Sequence, residues 1–227
     1  MSAPQAAQRG RGRPPRISRA KVVEAARKLD PTRLTMQAVA DELGVDRKTV
    51  HYHVSDREEL LQLVAQDAFG AALARAELDE FAGWREATRA FCTIVRDASL
   101  AAQQFGTHVQ LDGGGASWAA LGPAETALRS LLAAGFDEGA AAQILRMAGV
   151  LGSGFANDIA AERREGESAQ RDAVDLALKG DGAGRLTALQ HLIANARPAG
   201  TEYAFQFAVN LMLDGAARAL TDCGGGK

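Results

Sequence analysis

The chain has 227 residues and a formal charge of −2, a size that accommodates a small module with one larger domain, or a single mid-sized domain. Its two cysteines, Cys92 and Cys223, are too few for a disulfide framework and are not clustered with histidine, which argues against a zinc site and for a cytoplasmic protein. The basic N-terminus lacks a following apolar segment, and no uncharged apolar run reaches the ~18 residues of a membrane span, so we expect neither secretion nor membrane insertion.

Positive charge is concentrated at the N-terminal end. Residues 1–60 contain 12 basic and 8 acidic side chains, a net +4, which leaves −6 for residues 61–227. The composition of residues 1–17 predicts a disordered basic arm. Within it, Arg11 and Arg13 belong to the sequence RGRP, which has the form of an AT-hook, an extended segment that lies in a narrow A·T minor groove. The alternative is an arm that attracts phosphates by charge alone.

Three helical patterns follow the arm. Ser18 is placed to cap the first helix, which should end at Asp30 and Pro31. The second places apolar residues at i, i+3, i+4 and i+7, and Gly44 supplies the left-handed residue that ends it. Asp46 is placed to cap the third helix, which is rich in hydrogen-bond donors and aromatic groups. Two helices joined at a glycine in this way predict a helix-turn-helix, whose second helix enters a major groove of DNA.

Arg47 and Lys48 lie at the start of the third helix, where either can contact guanine O6 and N7 or, as the alternative, phosphate only. A pair of packed helices with no DNA-binding role is a further alternative, but it does not account for the basic arm. Ser55 and Glu58 match a capping box, S-x-x-E, that starts a long helix to about Leu78. The predicted DNA contacts from the module at 18–64 are Thr35, Gln37, Arg47, Lys48, Thr49, His51, Tyr52, His53 and Arg57.

The remaining sequence is also helical in pattern, so we predict an all-α fold. A long amphipathic segment covers 84–104, and Pro123 and Gly135 bracket the next helix. Further helices are predicted over 137–161 and 201–220, with a mobile loop over 162–184. We assign 65–227 to a helical regulatory and dimerisation domain.

The last two predicted helices have apolar faces wider than one small domain buries. Pairing them with their copies predicts a four-helix interface in a homodimer, and the alternative places both helices at the centre of a monomer. Gly149 and Gly152 lie inside the first of these helices, where each costs about 1 kcal/mol relative to alanine. They therefore indicate a close helix approach or room for a ligand.

Over residues 18–69, which include LTMQAVADELGVDRKTVHYHVSDREELLQLVAQDAF, the chain resembles the tetracycline-repressor (TetR) family. A weaker resemblance continues through Trp84, HVQLDGG and AAGFDEGAAAQIL, whereas the DPTR link after the first helix departs from the family by lacking its usual glycine. The resemblance implies a homodimer that binds a palindromic operator and releases it when a small molecule enters the larger domain. It also implies backbone contacts to DNA from Tyr52 and His53.

The resemblance further implies a ligand cavity in the larger domain. Leu73 and Phe91 stand where the tetracycline repressor has drug-contacting histidine and asparagine, and Gln110 lies near the place of its metal-bound histidine. We therefore expect no tetracycline–magnesium complex, no metal and no cofactor, but an apolar or amphipathic effector. The candidate ligand-binding residues, most of which could instead belong to the core, are Phe91, Val95, Gln104, His108, Trp118, Leu145, Leu151, Phe155 and Asn157.

The sequence shows no set of residues spaced like the members of a catalytic site. His108 and His191 are not spaced from carboxylates or cysteines as metal ligands are, and Ser153 lies in a helical pattern rather than a nucleophile elbow. We predict a transcriptional regulator without enzyme activity, most simply a homodimeric repressor released by an effector. The alternatives are an architectural DNA-binding protein without an effector and, third, an all-α enzyme with an incidental helix-turn-helix.

Overall fold

A computed structural model describes residues 17–76, 81–105, 121–165 and 200–224, with the single positions 176, 187, 188 and 191. Every secondary-structure element in these residues is helical, which confirms the all-α prediction. The chain forms two compact units, Met1–Val64 and Ala65–Lys227. The helices are α1 (Arg19–Ala26), the 3-10 turn η1 (Pro31–Arg33), α2 (Met36–Leu43), α3 (Arg47–His51), α4 (Arg57–Arg75), α5 (Trp84–Gln103), α6 (Gly122–Ala133), α7 (Glu138–Glu165) and α8 (Glu202–Gly224).

Helix α1 begins as predicted but ends early. The Ser18 hydroxyl accepts a hydrogen bond from Lys21 N at 3.3 Å and caps the helix. The helix ends at Ala26, and the predicted end at Asp30 is wrong because that residue caps η1 instead. Its carboxylate accepts from the backbone N–H and the hydroxyl of Thr32, at 2.8 and 2.6 Å, which competes with continued helix.

Helices α2 and α3 are joined by the predicted turn. Gly44 has φ 65°, a left-handed conformation that costs glycine nothing, and Val45 N donates to Ala40 O across it at 3.0 Å. Asp46 holds the N-cap position of α3, but its side chain makes no capping hydrogen bond. Val39 and Val50 are completely buried and fix the two helices against each other.

The predicted capping box at the start of α4 is wrong by one residue. Glu59, not Glu58, accepts hydrogen bonds from the backbone N–H and the hydroxyl of Ser55, both at 2.7 Å. Asp56 performs the cap, because its carboxylate accepts from Glu59 N at 2.8 Å. The helix ends at Arg75, and the predicted end at Leu78 lies outside the described residues.

Two apolar clusters build the second unit. The first joins α5, α7 and α8 through the buried side chains Cys92, Ala148, Phe205, Val209 and Leu213. The second joins α6, α7 and α8 through Leu131, Phe136, Ala141 and Ala216. The ring of Trp84 contacts both clusters and packs edge-on against Phe136 at 5.0 Å.

Helix α7 is longer than predicted, since it continues to Glu165 and replaces the start of the predicted loop. Its Gly152 lies at the crossing with α5: a Cβ atom there would be 2.6 Å from Cys92 O and 3.0 Å from Arg96 N. Gly149 has room, because a Cβ atom would meet only the Phe91 ring, at 4.0 Å. One glycine therefore permits a close helix approach and the other borders open space.

Candidate DNA-binding surface and ligand cavity

Helix α3 presents polar side chains to solvent while one residue anchors it. Val50 is completely buried, whereas Arg47, Lys48 and His51 are exposed and Tyr52, directly after the helix, is 87 % exposed. The Tyr52 ring meets the His53 ring edge-on at 5.3 Å. Thr49 is half-buried on the same short helix. An exposed arginine, lysine and histidine on one anchored helix can contact base edges and phosphates.

A chain of hydrogen bonds holds this helix in place. Arg47 Nε donates to His51 Nε2 at 3.2 Å, and His51 Nδ1 lies 3.0 Å from Ser55 O. Because Nε2 accepts, Nδ1 must carry the proton and donate to the Ser55 carbonyl. Glu59 then accepts both donors of Ser55 and is also paired with Arg19 of α1. The backbone and hydroxyl donors of Ser55, with Arg19, hold the pKa of Glu59 below its usual value.

Three more predicted residues border a depression of about 320 Å³ beside Arg47 and His51. Thr35 caps α2 by accepting from Ala38 N at 3.1 Å, and Gln37 Nε2 donates to Asp41 at 2.8 Å. Arg57 Nε donates to Leu34 O at 3.0 Å, which ties the start of α4 to the residue between η1 and the Thr35 cap of α2. Arg11 and Arg13 of the arm lie outside the described residues.

The second unit contains a cavity of about 550 Å³ among α4, α5, α6 and α7. Its size matches pockets that enclose drug-sized molecules. Leu73 and Phe91, the residues that replace the tetracycline repressor's drug contacts, both line it. The lining residues are Phe69, Leu73, Phe91, Val95, Ser99, Gln103, Leu121, Ala124, Arg146, Gly149, Val150, Ser153 and Asn157.

The structure brings part of the predicted ligand set to this cavity. Phe91, Val95 and Asn157 line it, whereas Gln104 is exposed and its neighbour Gln103 lines the cavity instead. The reason is the period of α5: residues 91, 95, 99 and 103 share one face at i+4 spacing, and position 104 is turned about 100° from it.

Other members of that set lie elsewhere. Leu151 and Phe155 pack in the core formed with α8, where the Phe155 ring meets Phe205 edge-on at 5.3 Å. Leu145 is half-buried and does not line the cavity. His108 and Trp118 lie outside the described residues.

An apolar groove of about 560 Å³ runs between α7 and α8 on another face of the second unit. Ile144 and Leu151 of α7 and Met212 and Ala216 of α8 are among the residues that line it. Large apolar side chains on this face are solvent-exposed, namely Met147 (50 %), Phe207 (60 %) and Leu211 (65 %). Val209 and Leu213 of the same helix, α8, are completely buried and face the core instead.

Groups of three or more His, Cys, Asp or Glu side chains that could hold a metal ion do not occur in the described part of the chain. Within the same residues, no helix combines the length and hydrophobicity needed to cross a membrane. Cys92 is buried among apolar side chains, which raises the pKa of its thiol to about 11, so it is protonated at neutral pH.

Solved structures share this arrangement of helices. A possible TetR family transcriptional regulator from Streptomyces coelicolor A3(2) is similar with a TM-score of 0.65 and 22 % identity, over 89 % of this chain and 100 % of that chain. The Streptomyces coelicolor TetR family protein ActR, in complex with actinorhodin, is similar with a TM-score of 0.61 and 21 % identity, over 91 % and 98 %.

TetR-Q116A from Acinetobacter baumannii AYE, in complex with minocycline, is also similar, with a TM-score of 0.55 and 21 % identity over 90 % of this chain and 98 % of that chain. Neither a protein-family model nor a curated protein sequence matches the chain. The chain has the TetR fold, as the resemblance over residues 18–69 predicted.

Proposed function

We propose that the chain is a DNA-binding transcriptional regulator, a homodimeric repressor that releases a palindromic operator when a small molecule binds. The observation that carries the proposal is the exposed set on α3, where Arg47, Lys48 and His51 surround a buried anchor, Val50. A short helix held by α1 and α4 can place these side chains in a major groove without reordering. Residues 18–64 would bind DNA, in the cytoplasm, and 65–227 would bind the effector and the second subunit.

Dimerisation is supported by the apolar face on α7 and α8. Large exposed side chains such as Phe207 and Leu211 border the groove between these helices, and a contiguous apolar surface of this kind is unusual on a monomer. Packing this face on its copy would form a four-helix interface with two-fold symmetry. Two recognition helices related in this way would meet two inverted half-sites.

Release by an effector is supported by the cavity and by the similar solved structures that contain small molecules. ActR was solved with actinorhodin and TetR-Q116A with minocycline. Phe69 and Leu73 line the cavity from α4, which is continuous from Arg57 to Arg75. A ligand that binds better when these side chains are displaced would bias the helix that also carries Arg57, a predicted DNA contact.

Selection of bound duplexes from a random pool tests the DNA-binding part. We expect wild-type protein to enrich an inverted repeat, and Arg47→Ala to relax one base position in each half-site by about 1–3 kcal/mol if Arg47 contacts guanine. Arg129→Ala is the matched control, because Arg129 is an exposed arginine of α6 paired with Glu125. Binding without any sequence preference would favour the architectural alternative, and absence of DNA binding would refute both.

A further inference from the structure

The cavity in the second unit is chemically asymmetric. Among the described residues that line it, Arg146 alone carries a formal charge, and none is acidic. The cavity-facing positions of α5 change from Phe91 and Val95 to Ser99 and Gln103 along the helix. An aliphatic and aromatic section therefore adjoins a polar section on one helix face.

The two polar features lie at opposite ends of the cavity. Phe91 is beside Gly149, one turn from Arg146, whereas Gln103 Nε2 donates to Asn157 Oδ1. Residues 146 and 157 are separated by about 16 Å along α7 at 1.5 Å per residue. A cationic end and an amide end thus enclose an apolar middle.

Each end has unused hydrogen-bonding capacity. Arg146 is solvent-exposed where it borders the cavity and uses Nε to donate to Gln143 Oε1 at 3.0 Å, so its two terminal nitrogens have no protein partner in the described part of the chain. Those nitrogens form the fork that binds a carboxylate with two parallel hydrogen bonds. At the other end, Gln103 Oε1 is buried and accepts no hydrogen bond from the described residues. A hydroxyl or N–H group of a ligand would satisfy it.

We propose that the cavity binds an elongated amphipathic organic anion, with its acidic group on Arg146, an apolar aromatic body along Phe91 and Val95, and a hydrogen-bond donor at Gln103. The proposal rests on the effector-binding role of the second unit and specifies the chemistry of the effector. Arg146 determines the preference for an anion, and Gln103 determines the preference for a donor at the far end.

Calorimetric titration with three compounds of one shape tests the proposal on the full chain. The probes are 4′-hydroxybiphenyl-4-carboxylate, its neutral carboxamide, and biphenyl-4-carboxylate, which lacks the donor. We expect the hydroxy acid to bind wild-type protein about tenfold more tightly than either analogue, since one hydrogen bond to a charged or buried group is worth about that factor.

Three variants assign the preferences to residues. Arg146→Met should remove the preference for acid over carboxamide, Arg146→Lys should retain part of it, and Gln103→Leu should remove the preference for the hydroxyl group. Arg129→Met, which changes an exposed arginine outside the cavity lining, should bind all three probes as wild type does. Thermal melting of each variant reports whether it is folded.

The proposal is overturned if wild-type protein binds acid and carboxamide equally, if the acid preference survives in Arg146→Met, or if no probe binds at millimolar concentration. DNA selection with the same protein separates this result from the regulator function. DNA binding without an acid preference overturns only the anion proposal, whereas an acid preference without DNA binding overturns only the regulator function.

Discussion

Gly149 and Gly152, one turn apart on α7, give a matched pair of substitutions. Both lie inside a helix, where alanine is favoured over glycine by about 1 kcal/mol. Their surroundings differ. A Cβ atom at position 149 would make an ordinary contact with the Phe91 ring, whereas one at position 152 would lie 2.6 Å from the backbone oxygen of Cys92.

The structure sets the sign of each effect. Gly149→Ala should stabilise the fold by about 0.5–1 kcal/mol, because alanine has the higher helix propensity and no neighbouring atom must move to accommodate its Cβ. For Gly152→Ala we expect about 3 kcal/mol of overpacking, since the contacting atoms belong to the backbone of α5 and cannot rotate away. Subtracting the helical gain leaves a destabilisation of about 2 kcal/mol, or about 4–8 °C in melting temperature for a chain of this size.

Thermal unfolding followed by circular dichroism measures both variants at one protein concentration, because the proposed dimerisation would make the melting temperature depend on concentration. The expected order is Gly149→Ala above wild type and Gly152→Ala clearly below it. A melting temperature of Gly152→Ala equal to or above that of Gly149→Ala would show that the backbones of α5 and α7 are farther apart at this crossing than the 2.6 Å distance from a Cβ atom at position 152 to Cys92 O implies, and that the cavity between the helices has a different shape.

Three further predictions concern the first unit, the N-terminal arm and the proposed dimer. Glu59→Gln should destabilise the first unit by about 1 kcal/mol at neutral pH in urea unfolding, with Glu58→Gln as the matched control. Because the hydrogen bonds from Ser55 lower the folded pKa of Glu59 from 4.5, the loss in Glu59→Gln should fade as pH falls below that value. Deleting residues 1–16 removes four arginines and should reduce the magnitude of the slope of log K for DNA binding against log salt concentration by up to about 4. If the deletion weakens binding equally for operators flanked by A·T and by G·C pairs, then Arg11 and Arg13 act through their charge alone. Leu211→Glu places a charge on the exposed apolar face and should yield folded monomers in sedimentation. Leu128→Glu, at a partly buried position of α6, is the control that shows how a destabilised fold behaves in the same experiment. A Leu211→Glu protein that is still dimeric would refute the α7–α8 interface.

Features fixed by local chemistry could be predicted from the sequence. Gly44 ends α2 in the left-handed conformation, and Asp137 caps α7 by accepting from Ala140 N at 2.8 Å. Pro123 and Gly135, with φ 99°, bracket α6 as predicted. Each signal depends on residues within one helical turn, so no tertiary contact can override it easily.

The capping-box prediction fails for a local reason: Asp56, not Ser55, caps α4, so the helix starts one residue later than the S-x-x-E spacing assumes and Glu59 makes the bonds. Features fixed by tertiary packing could not be predicted. Leu151 and Phe155 have the same apolar character as cavity residues, and periodicity cannot say whether such a face meets α8 or empty space. The sequence gives no sign that Arg146 borders a cavity, because only the packing of α5, α6 and α7 brings this exposed side chain there.

The central claim is that occupation of the cavity controls DNA binding. The most direct measurement titrates a compound library against the complex of the protein with its selected DNA at fixed salt, in parallel with a cavity-filled variant, Gly149→Leu. We expect at least one compound to weaken DNA binding of the wild-type protein, by up to ~100-fold or about 2.7 kcal/mol, and to have little effect on the variant. If no compound changes the DNA affinity, or if release is equal in Gly149→Leu, the cavity does not control DNA binding.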